Sequence, residues 1–351
     1  MPQGIVGCGV YLPYYRIKLA DIAEAWNRKE NLRGEKTVPA PDETTLTMAR
    51  NATINALKHA NIDSNEIGAV YFCSISSMIE GSCAQDVAVA VDLKPNTMTV
   101  DLHGSPRNFT TAIQMCLDSL QVNRFKYGLV VGADILTGGM GTSSADIASE
   151  YVSAAGAGAL ILGKDGQIAE MESSTSYMTG IKERWRAIDE KFPKVGDGRF
   201  IRDLGYISHV TKAGKALLDK TSRVIDKFTH IILQQPHFTW VQRALGGLGV
   251  AKDMSKQRLS APGMLIGKLG DLGCACLPVA LAEVFDQAKP DESILTISYG
   301  SGGSDALSWL VKPAILQKRE HATSVEKFLK NKEYINYTTM LRYNKVIKQF
   351  V

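Results

Sequence analysis

Residues 99–114 read Thr-Val-Asp-Leu-His-Gly-Ser-Pro-Arg-Asn-Phe-Thr-Thr-Ala-Ile-Gln, and this stretch decides the fold. The apolar run that ends in Asp-Leu predicts a strand, the small residues after it predict a sharp turn, and the pattern from about Thr110 predicts a helix. A strand-to-helix turn of this kind can hold a nucleophile, because the amides at the start of a helix lower the pKa of a thiol. Here the turn carries Ser105 and Pro106. Proline has no side-chain group that reacts, so we predict that this turn supplies no thiol chemistry.

The composition is that of an ordinary globular protein, and it argues against several function classes. The 351 residues include 45% hydrophobic and 22% charged residues, carry a formal net charge of +4, and by length favour about two domains. Lysine and arginine are scattered, so we do not expect nucleic-acid binding. No apolar run reaches the length of about 18 residues that a membrane span needs. Strand-like sequence begins at Gly4 without a charged leader before it, which predicts a cytoplasmic protein.

The six cysteines predict neither a metal site nor a disulfide framework. They form no CxxC pair and have no cysteine–histidine spacing typical of zinc, so reduced, buried thiols are favoured. Cys274 and Cys276 lie in a glycine-rich loop and form the cluster of greatest chemical interest. We favour packing beside that loop over an alternative pair of reactive thiols.

Short apolar runs alternate with helical patterns along the chain, which predicts an α/β fold built in layers. The predicted strands are Ile5–Leu12, Ala69–Ser74, Thr97–Leu102, Gly128–Gly132, Ala157–Leu162, Ile168–Ser173, His230–Gln234, Ile294–Tyr299 and Leu307–Val311. The predicted helices are Thr45–His59, Thr110–Leu120, Val210–Phe228 and Pro278–Gln287. The helix Thr110–Leu120 is too apolar all round for a surface helix, so it is expected at the centre of the fold.

The chain also repeats its own layout. A helix leads into a buried strand with a glycine-rich end at Tyr127–Asp134, and again at Ile294–Gly302. This repeat predicts two similar layered halves. The predicted segments are an N-terminal half (1–165), a surface insertion with a linking helix (166–225), the core of a C-terminal half (226–314) and a charged tail (315–351) whose end packs back onto the body.

Five segments carry a resemblance to a known family: Gly4–Ile17, Thr37–Thr44, Glu150–Ala159, Tyr299–Ala306 and Tyr334–Tyr337. Together with residues 99–114 they resemble the 3-hydroxy-3-methylglutaryl-CoA (HMG-CoA) synthase family within the thiolase superfamily, especially its shorter archaeal and bacterial branch. The resemblance runs nearly end to end. It implies an α/β, thiolase-like fold of two αβαβα-layered halves with a central pair of buried helices.

The resemblance implies four reactive groups, and each falls on a residue of another kind. The family's cysteine, which takes an acetyl group, falls on Pro106, and its glutamate acid/base falls on Ile75. Its histidine falls on Gln234 and its asparagine on Asp271. Because the flanking motifs are intact at all four positions, we predict a degenerate site without catalytic residues of its own.

Three residues remain as weaker candidates for catalysis. A register shifted by one residue would put Ser105 in the turn, but serine without a base is a poor nucleophile. His237 lies three residues after Gln234, and in a strand an odd separation turns it to the opposite face. For His103, which follows the end of a strand, we favour a role in capping the loop.

The resemblance also implies that the chain binds CoA or an acyl-CoA. Arg184 and Arg186 lie where the family meets the CoA nucleotide, with a solvated surface patch as the alternative. Gly300 and Gly302 either let a pantetheine arm approach or serve as ordinary turn residues. We expect neither a metal nor a cofactor bound permanently to this chain.

Three functions follow as hypotheses. The first is a non-catalytic, HMG-CoA synthase-like subunit of an acyltransferase complex. It would form a homodimer and join a thiolase-like catalytic subunit and a small zinc-ribbon/OB-fold protein, with zinc in that partner alone. The second is an active acyl-CoA condensing or acyl-transfer enzyme with a rebuilt, cysteine-free site, and the third is a binding module for CoA thioesters.

Overall fold

The computed structural model describes residues 2–29, 32–77, 81–138, 144–187, 190, 192–258 and 261–347. Its strands are β1 (Gly4–Tyr11), β2 (Tyr15–Lys18), β3 (Glu35–Val38), β4 (Ile67–Ser74), β5 (Met98–His103), β6 (Tyr127–Ile135), β7 (Ala155–Gly163), β8 (Ala169–Met178), β9 (Arg184–Trp185), β10 (Lys194–Val195), β11 (His230–Leu233), β12 (Ser293–Ile297), β13 (Gly303–Val311) and β14 (Glu333–Tyr334). Its α-helices are α1 (Leu19–Ala25), α2 (Thr45–Ala60), α3 (Cys83–Ala90), α4 (Asn108–Gln121), α5 (Ser144–Val152), α6 (Gly198–Phe200), α7 (Ser208–Thr221), α8 (Phe238–Gly247), α9 (Lys252–Arg258), α10 (Ile266–Leu269), α11 (Cys276–Phe285), α12 (Ala314–Lys318), α13 (Val325–Lys330) and α14 (Tyr337–Tyr343).

Nine described strands form one sheet in the order β11-β12-β13-β8-β1-β7-β6-β4-β5; four strands of each half have the same arrangement, and β5 is an additional strand at the edge of the first half. In the first half β4 and β6 are parallel, and β7 and β1 follow antiparallel. In the second half β11 and β12 are parallel, and β13 and β8 follow antiparallel. A short β1–β8 pairing joins the halves. The two strands of the repeat seen in the sequence, β6 and β12, therefore occupy equivalent places.

Helices cover the two halves and fill the space between them. Helix α2 packs on β1, β6 and β7, and α7 packs on β8 and β13. Helices α4 and α11 share one hydrophobic core with strands of both halves, and all ten residues of α11 are buried. The α/β layering and the central helix pair predicted from the sequence are thus confirmed.

The close approach of α2 to β1 explains one glycine of the first strand. A Cβ at Gly9 would lie 2.2 Å from Ala56 N and 2.3 Å from Ala52 O, both in the backbone of α2. Helix α2 begins at a capping box in which Thr44 and Thr47 bond each other's backbone amides. The cap and the glycine together fix where this helix lies on the sheet.

The segment predicted as a surface insertion differs from the structure in its first part. Residues 169–178 form β8, a full-length strand paired with β13 along its whole length. The run from Glu170 to Tyr177 is mostly polar and half-buried or exposed, and several of its side chains form hydrogen bonds. One of them, Thr175 Oγ1, donates to Ala213 O at 2.9 Å. The irregular part comes after Met178, and a π-helical stretch at Ile201–Ile207 leads into α7.

The C-terminal tail returns to the body, as its apolar end predicts. Strand β14 pairs in parallel with β2, and Met340 of α14 is 1% exposed in a small core with Ile17 and Ile22. Tyr337 accepts a hydrogen bond from Trp26 Nε1 at 2.9 Å. Among the described residues no helix has both the length and the apolar character needed to cross a membrane.

Candidate functional site

A cavity of about 580 Å³ brings together the four positions that the resemblance assigns to reactive groups. Ile75 follows β4, Pro106 lies in the turn between β5 and α4, Gln234 follows β11, and Asp271 lies shortly before α11. Strands β4 and β5 are parallel, so the loops after them leave the sheet at the same edge. The four side chains come from both halves and form one wall, which we call the reactive wall.

The backbone of the turn at Gly273 and Cys274 connects the members of the reactive wall. Gly273 N donates to Asp271 Oδ1 at 3.0 Å, and Gln234 Nε2 donates to Gly273 O at 2.8 Å. The Cys274 thiol lies 3.6 Å from the carbonyl oxygen of Ser105, the residue before the turn proline. This short segment therefore contacts Asp271, Gln234 and the backbone of the residue before Pro106.

Asp134, in β6, holds the loops behind the reactive wall. Its carboxylate is fully buried. It accepts five hydrogen bonds, to Oδ1 from Ser74 Oγ at 2.8 Å, Ile75 N at 2.8 Å, Ser76 N at 2.9 Å and Ser76 Oγ at 2.7 Å, and to Oδ2 from Cys274 N at 2.8 Å. A buried carboxylate is stable when its lone pairs are satisfied in this way. Asp134 thus fixes Ile75 and the Cys274 turn relative to each other.

The turn between β5 and α4 is equally well held. Ser105 is 9% exposed, and its Oγ accepts from Arg107 N at 3.3 Å, while Pro106 forms the cavity surface. A Cβ at Gly300 would lie 2.5 Å from Pro106 Cδ, which shows how closely the last glycine-rich loop packs on the turn. Arg107 Nε donates at 3.0 Å to the buried carboxylate of Asp305. The position that the resemblance assigns to the cysteine is therefore a proline held in place by its neighbours.

Asp271 brings a titratable group to the wall. Burial raises its pKa to about 6, the amide of Gly273 and the Arg184 guanidinium lower the pKa, and the charge of Asp134 raises it. The side chain remains partly exposed to the cavity. A carboxyl group with a pKa close to neutrality can exchange protons readily at physiological pH.

Glu183 is a cavity residue that the sequence patterns did not single out. Its carboxylate accepts from Ser301 N at 2.5 Å, Gly302 N at 3.3 Å and the Tyr299 hydroxyl at 3.5 Å. Burial raises its pKa, and these hydrogen bonds offset only part of that rise. Glu183 thereby binds the backbone amides of Ser301 and Gly302, which belong to the glycine-rich loop beside the reactive wall. The sequence pointed to Glu183 as a site residue only through its position directly before Arg184.

Cations and aromatic rings line the cavity beyond the reactive wall. Arg184, Trp185 and Arg186 come from β9 and the residue after it, and residues 343–345 come from the C-terminal tail. Arg184 Nη2 donates to Thr137 O at 3.0 Å. Guanidinium groups in such a place suit the phosphate groups of a nucleotide.

Comparison with known proteins identifies the family. No protein-family model matches the chain. The hydroxymethylglutaryl-CoA synthase of Methanocaldococcus jannaschii is 37% identical over 353 residues, which span 98% of this chain and 99% of that protein. The chain belongs to the HMG-CoA synthase family. The hydroxymethylglutaryl-CoA synthase of Methanothermobacter thermautotrophicus is 36% identical over 348 residues, 97% of each chain.

Solved HMG-CoA synthase structures share the fold. MvaS in complex with 3-hydroxy-3-methylglutaryl coenzyme A superposes with a TM-score of 0.86 at 18% identity, over 98% of this chain and 92% of that one. An HMG-CoA synthase complexed with CoA superposes with a TM-score of 0.85 at 17% identity, over 97% and 90%. The thiolase-like fold expected from the sequence is thereby confirmed for this HMG-CoA synthase-like protein.

The weaker candidates within the HMG-CoA synthase fold separate into two groups. His103 lines the cavity, whereas Ser105 and His237 do not belong to its lining. His237 caps α8, since its Nδ1 accepts from Thr239 N at 3.3 Å, and its ring stacks on Trp240. Burial lowers the pKa of His237. Ser105 and His237 thus each have a structural partner of their own.

Neither the glycines nor the cysteines singled out in the sequence form the cavity surface. Ser301 lines the cavity, while Gly300 and Gly302 lie behind it; Gly302 has φ +65° and packs on Ile181 O. All six cysteines are buried, and none is among the lining residues. Within the described ranges, no cluster of three or more His, Cys, Asp or Glu side chains is placed to hold a metal ion.

Proposed function

We propose that this HMG-CoA synthase-like chain binds CoA thioesters without forming an acyl-enzyme, as the non-catalytic subunit of a larger acyltransferase complex. The observation that carries the proposal is Pro106 in the reactive wall. Proline has no thiol to acylate and no backbone N–H. The turn therefore lacks both a nucleophile and an amide that could stabilise a tetrahedral oxyanion at this residue.

The rest of the wall supports the same conclusion. The Ile75 side chain has no titratable group, and Gln234 forms hydrogen bonds without titrating near neutral pH. Burial raises the pKa of the thiols of Cys73 and Cys274, the latter beside the turn, and so disfavours the reactive thiolate. Neither thiol reaches the cavity surface.

The cavity itself supports ligand binding. It keeps a volume of about 580 Å³, which suits a small-molecule site. Arg184 and Arg186 provide positive charge for phosphates. Two HMG-CoA synthase structures of the same fold hold HMG-CoA or CoA, and we extend that ligand class to this chain.

The proposed assembly starts from a homodimer. Strand β5 lies at the edge of the sheet, and no described strand pairs with its outer side. Such an edge favours pairing with a second copy. We propose in addition a thiolase-like subunit that carries the reactive cysteine and a small zinc-ribbon/OB-fold protein, on the strength of the family resemblance.

Intact-protein mass spectrometry after incubation with acetyl-CoA tests the first part of the proposal. We expect CoA to bind in isothermal titration calorimetry and no acetyl adduct to form on the natural chain. The Ser105→Ala and His237→Ala variants should behave identically. An adduct on the natural chain that disappears in Ser105→Ala would overturn the proposal.

Co-expression with thiolase-like and zinc-ribbon genes from the same genome neighbourhood tests the second part. We expect a stable complex in size exclusion whose acyl-CoA turnover depends on the partner's cysteine. Turnover by this chain alone would contradict a non-catalytic role. Tight CoA binding with neither turnover nor a partner would make the protein a binding module.

One observation favours a second function, an enzyme with a rebuilt, cysteine-free site. Asp271 faces the cavity with a pKa of about 6, so its carboxylate could take a proton from the α-carbon of a bound thioester. The C–H electron pair would pass into the thioester enolate, and the same proton or a solvent proton would restore the carbon. Exchange of the α-hydrogens of acetyl-CoA in D₂O, followed by NMR in the natural chain and in Asp271→Asn, tests this function.

A further inference from the structure

The end of α14 completes the wall of the cavity. Tyr343, Asn344 and Lys345 line it, whereas every other described lining residue lies between Pro39 and Ser301 in the sequence. Lys345 adds a positive charge to a lining that also holds two arginines, and Tyr343 adds an aromatic ring. A ligand in the cavity therefore meets a segment that does not belong to the nine-stranded sheet.

This segment, residues 332–347, runs from a small sheet to the cavity, and we call it the strap. Its strand β14 has two residues and pairs in parallel with β2, in a three-stranded sheet separate from the large one. Glu333 N donates to Tyr14 O at 3.2 Å, and Ile335 N donates to Arg16 O at 2.9 Å. So short a pairing adds little stability by itself, because a few backbone hydrogen bonds do not offset the entropy lost in ordering the chain.

One carboxylate, that of Glu35 in β3, anchors the strap where it begins. Lys332 Nζ lies 2.6 Å from Glu35 Oε1, and the Tyr334 hydroxyl donates to Glu35 Oε2 at 2.5 Å. The side chains of Lys332 and Glu35 are 26% and 13% exposed. An ion pair that is largely removed from water is stronger than an exposed one, because less solvent screens it. Glu35 does not line the cavity, so the anchor can be altered without changing the ligand site.

The rest of the strap is held by a small core. Met340 packs with Ile17, Ile22 and Val38, and this cluster is separate from the three larger hydrophobic clusters of the body. The Tyr337 hydroxyl donates a hydrogen bond to a glutamate of α5 at 3.2 Å. A segment with few buried apolar contacts opens at a free-energy cost well below that of global unfolding. The strap can therefore leave the cavity while the large sheet and its helices stay folded.

We propose that the strap is a lid whose seating is coupled to occupation of the cavity. This inference rests on the proposed binding of CoA thioesters. A ligand contacts residues 343–345 only while the strap is seated, so it binds the closed state more tightly and shifts the opening equilibrium toward that state. Lys345 supplies one such contact, because an ammonium group binds the phosphates of CoA as a point charge.

Hydrogen exchange of the natural chain, followed by mass spectrometry with and without saturating CoA, measures this coupling. We expect the amides of residues 333–345 to exchange at least about five-fold more slowly with CoA, as for two sites coupled through one equilibrium. The amides of α3, which lies outside the cavity lining, should exchange at the same rate in both conditions. Unchanged exchange of the strap, while CoA binds in isothermal titration calorimetry, would overturn the inference and leave the proposed function standing.

Two variants separate the anchor from the ligand contact. Glu35→Gln should speed exchange of the strap without ligand about three-fold or more, because it weakens a largely buried ion pair, and should preserve the slowing by CoA. Lys345→Ala should reduce the slowing by CoA to about two-fold or less, because the ligand loses a contact made only in the closed state.

Each variant has a matched control in α13, outside the cavity lining. Glu326→Gln removes an exposed ion pair of similar length, 2.6 Å to Lys330 Nζ, and Lys327→Ala removes an exposed lysine. Both controls should exchange in the strap as the natural chain does. Strap exchange in Glu35→Gln equal to that of the natural chain, or full slowing by CoA in Lys345→Ala, would overturn the inference. Absence of CoA binding to the natural chain would overturn the proposed function and this inference with it.

Discussion

The reactive wall and the residues behind it, which we call the frame, differ in how fully their polar groups are hydrogen-bonded. The frame consists of Asp134 and Asp305, two fully buried carboxylates that bind neighbouring segments through several hydrogen bonds each. The wall consists of Ile75, Pro106, Gln234 and Asp271, and Asp271 accepts one hydrogen bond from the described residues. The frame thus satisfies its buried carboxylates with partners inside the protein, whereas the wall presents its side chains to the cavity. Different side chains therefore position the loops and line the cavity.

The largest expected effect comes from breaking the frame. Asp134→Ala leaves five donors without their acceptor, and each buried unsatisfied donor costs about 1–3 kcal/mol. We expect the free energy of unfolding, measured in urea by circular dichroism, to fall by about 4 kcal/mol or more. Glu320→Ala, an exposed carboxylate, should change it by less than about 0.5 kcal/mol. A loss below about 1 kcal/mol for Asp134→Ala would remove the distinction between frame and wall.

A smaller effect isolates the packing of the frame against the turn. Gly273 has φ +57°, and a Cβ there would lie 2.3 Å from Asp134 Oδ2. Gly104 also has a positive φ, +94°, but a Cβ there meets no atom within 4 Å. Both alanine variants carry the cost of a positive φ, roughly 1–2 kcal/mol. Gly273→Ala should lose at least about 1 kcal/mol more in urea unfolding, and equal losses would contradict the tight packing.

Replacing Asp271 in the wall should raise the free energy of unfolding, whereas the substitutions in the frame lower it. Burial raises the pKa of Asp271 from 3.8 to about 6, so the folded state favours the protonated carboxyl. The protonated carboxyl is compatible with burial, so the folded state keeps its full stability below about pH 4. This stability is lost as the pH rises through about 6. Asp271→Asn should therefore gain on the order of 2 kcal/mol at pH 7.5, since one pKa unit corresponds to about 1.4 kcal/mol and the group is partly solvated. Urea unfolding at pH 4 and 7.5 should show this gain at the higher pH only, and a gain independent of pH would refute it.

The smallest expected effect on stability comes from His237, which lies outside the reactive wall. His237→Ala removes the side chain that accepts Thr239 N at the start of α8, which should cost about 1 kcal/mol in thermal or urea unfolding. His237→Asn retains a cap and should recover most of this loss. Because His237 lies outside the cavity lining, affinity for CoA should be unchanged in both variants. A several-fold loss of affinity would place His237 in the site.

Local patterns predicted the elements of the fold well. The apolar runs identified β6, β12 and α11, because buried strands and a buried helix need no polar face. Strand β8 was predicted too short, because its second part is polar and half-buried or exposed. Hydropathy gives no signal for such a strand, which the structure shows through its pairing with β13 and the hydrogen bond of Thr175 to α7.

The candidate site was predicted unevenly. Motif positions led to Ile75, Pro106, Gln234 and Asp271, and the structure brings all four to one cavity. The hydrogen bonds of Glu183 to residues 301 and 302 and the tail residues 343–345 were not anticipated. They depend on contacts between segments more than a hundred residues apart, for which a single sequence holds no direct signal.

By itself, the sequence determined the layered α/β elements, the repeat of the two halves and the proline in the strand-to-helix turn, because these depend on hydropathy period, turn chemistry and residue identity. The tertiary structure alone decided that Asp134 holds the loops, that Ser105 lies behind the wall while Pro106 forms it, and that Asp271 has no ion-pair partner within 4.0 Å among the described residues. The physical reason is that burial, hydrogen-bond satisfaction and pKa are set by neighbours in space, which chain folding brings together from both halves.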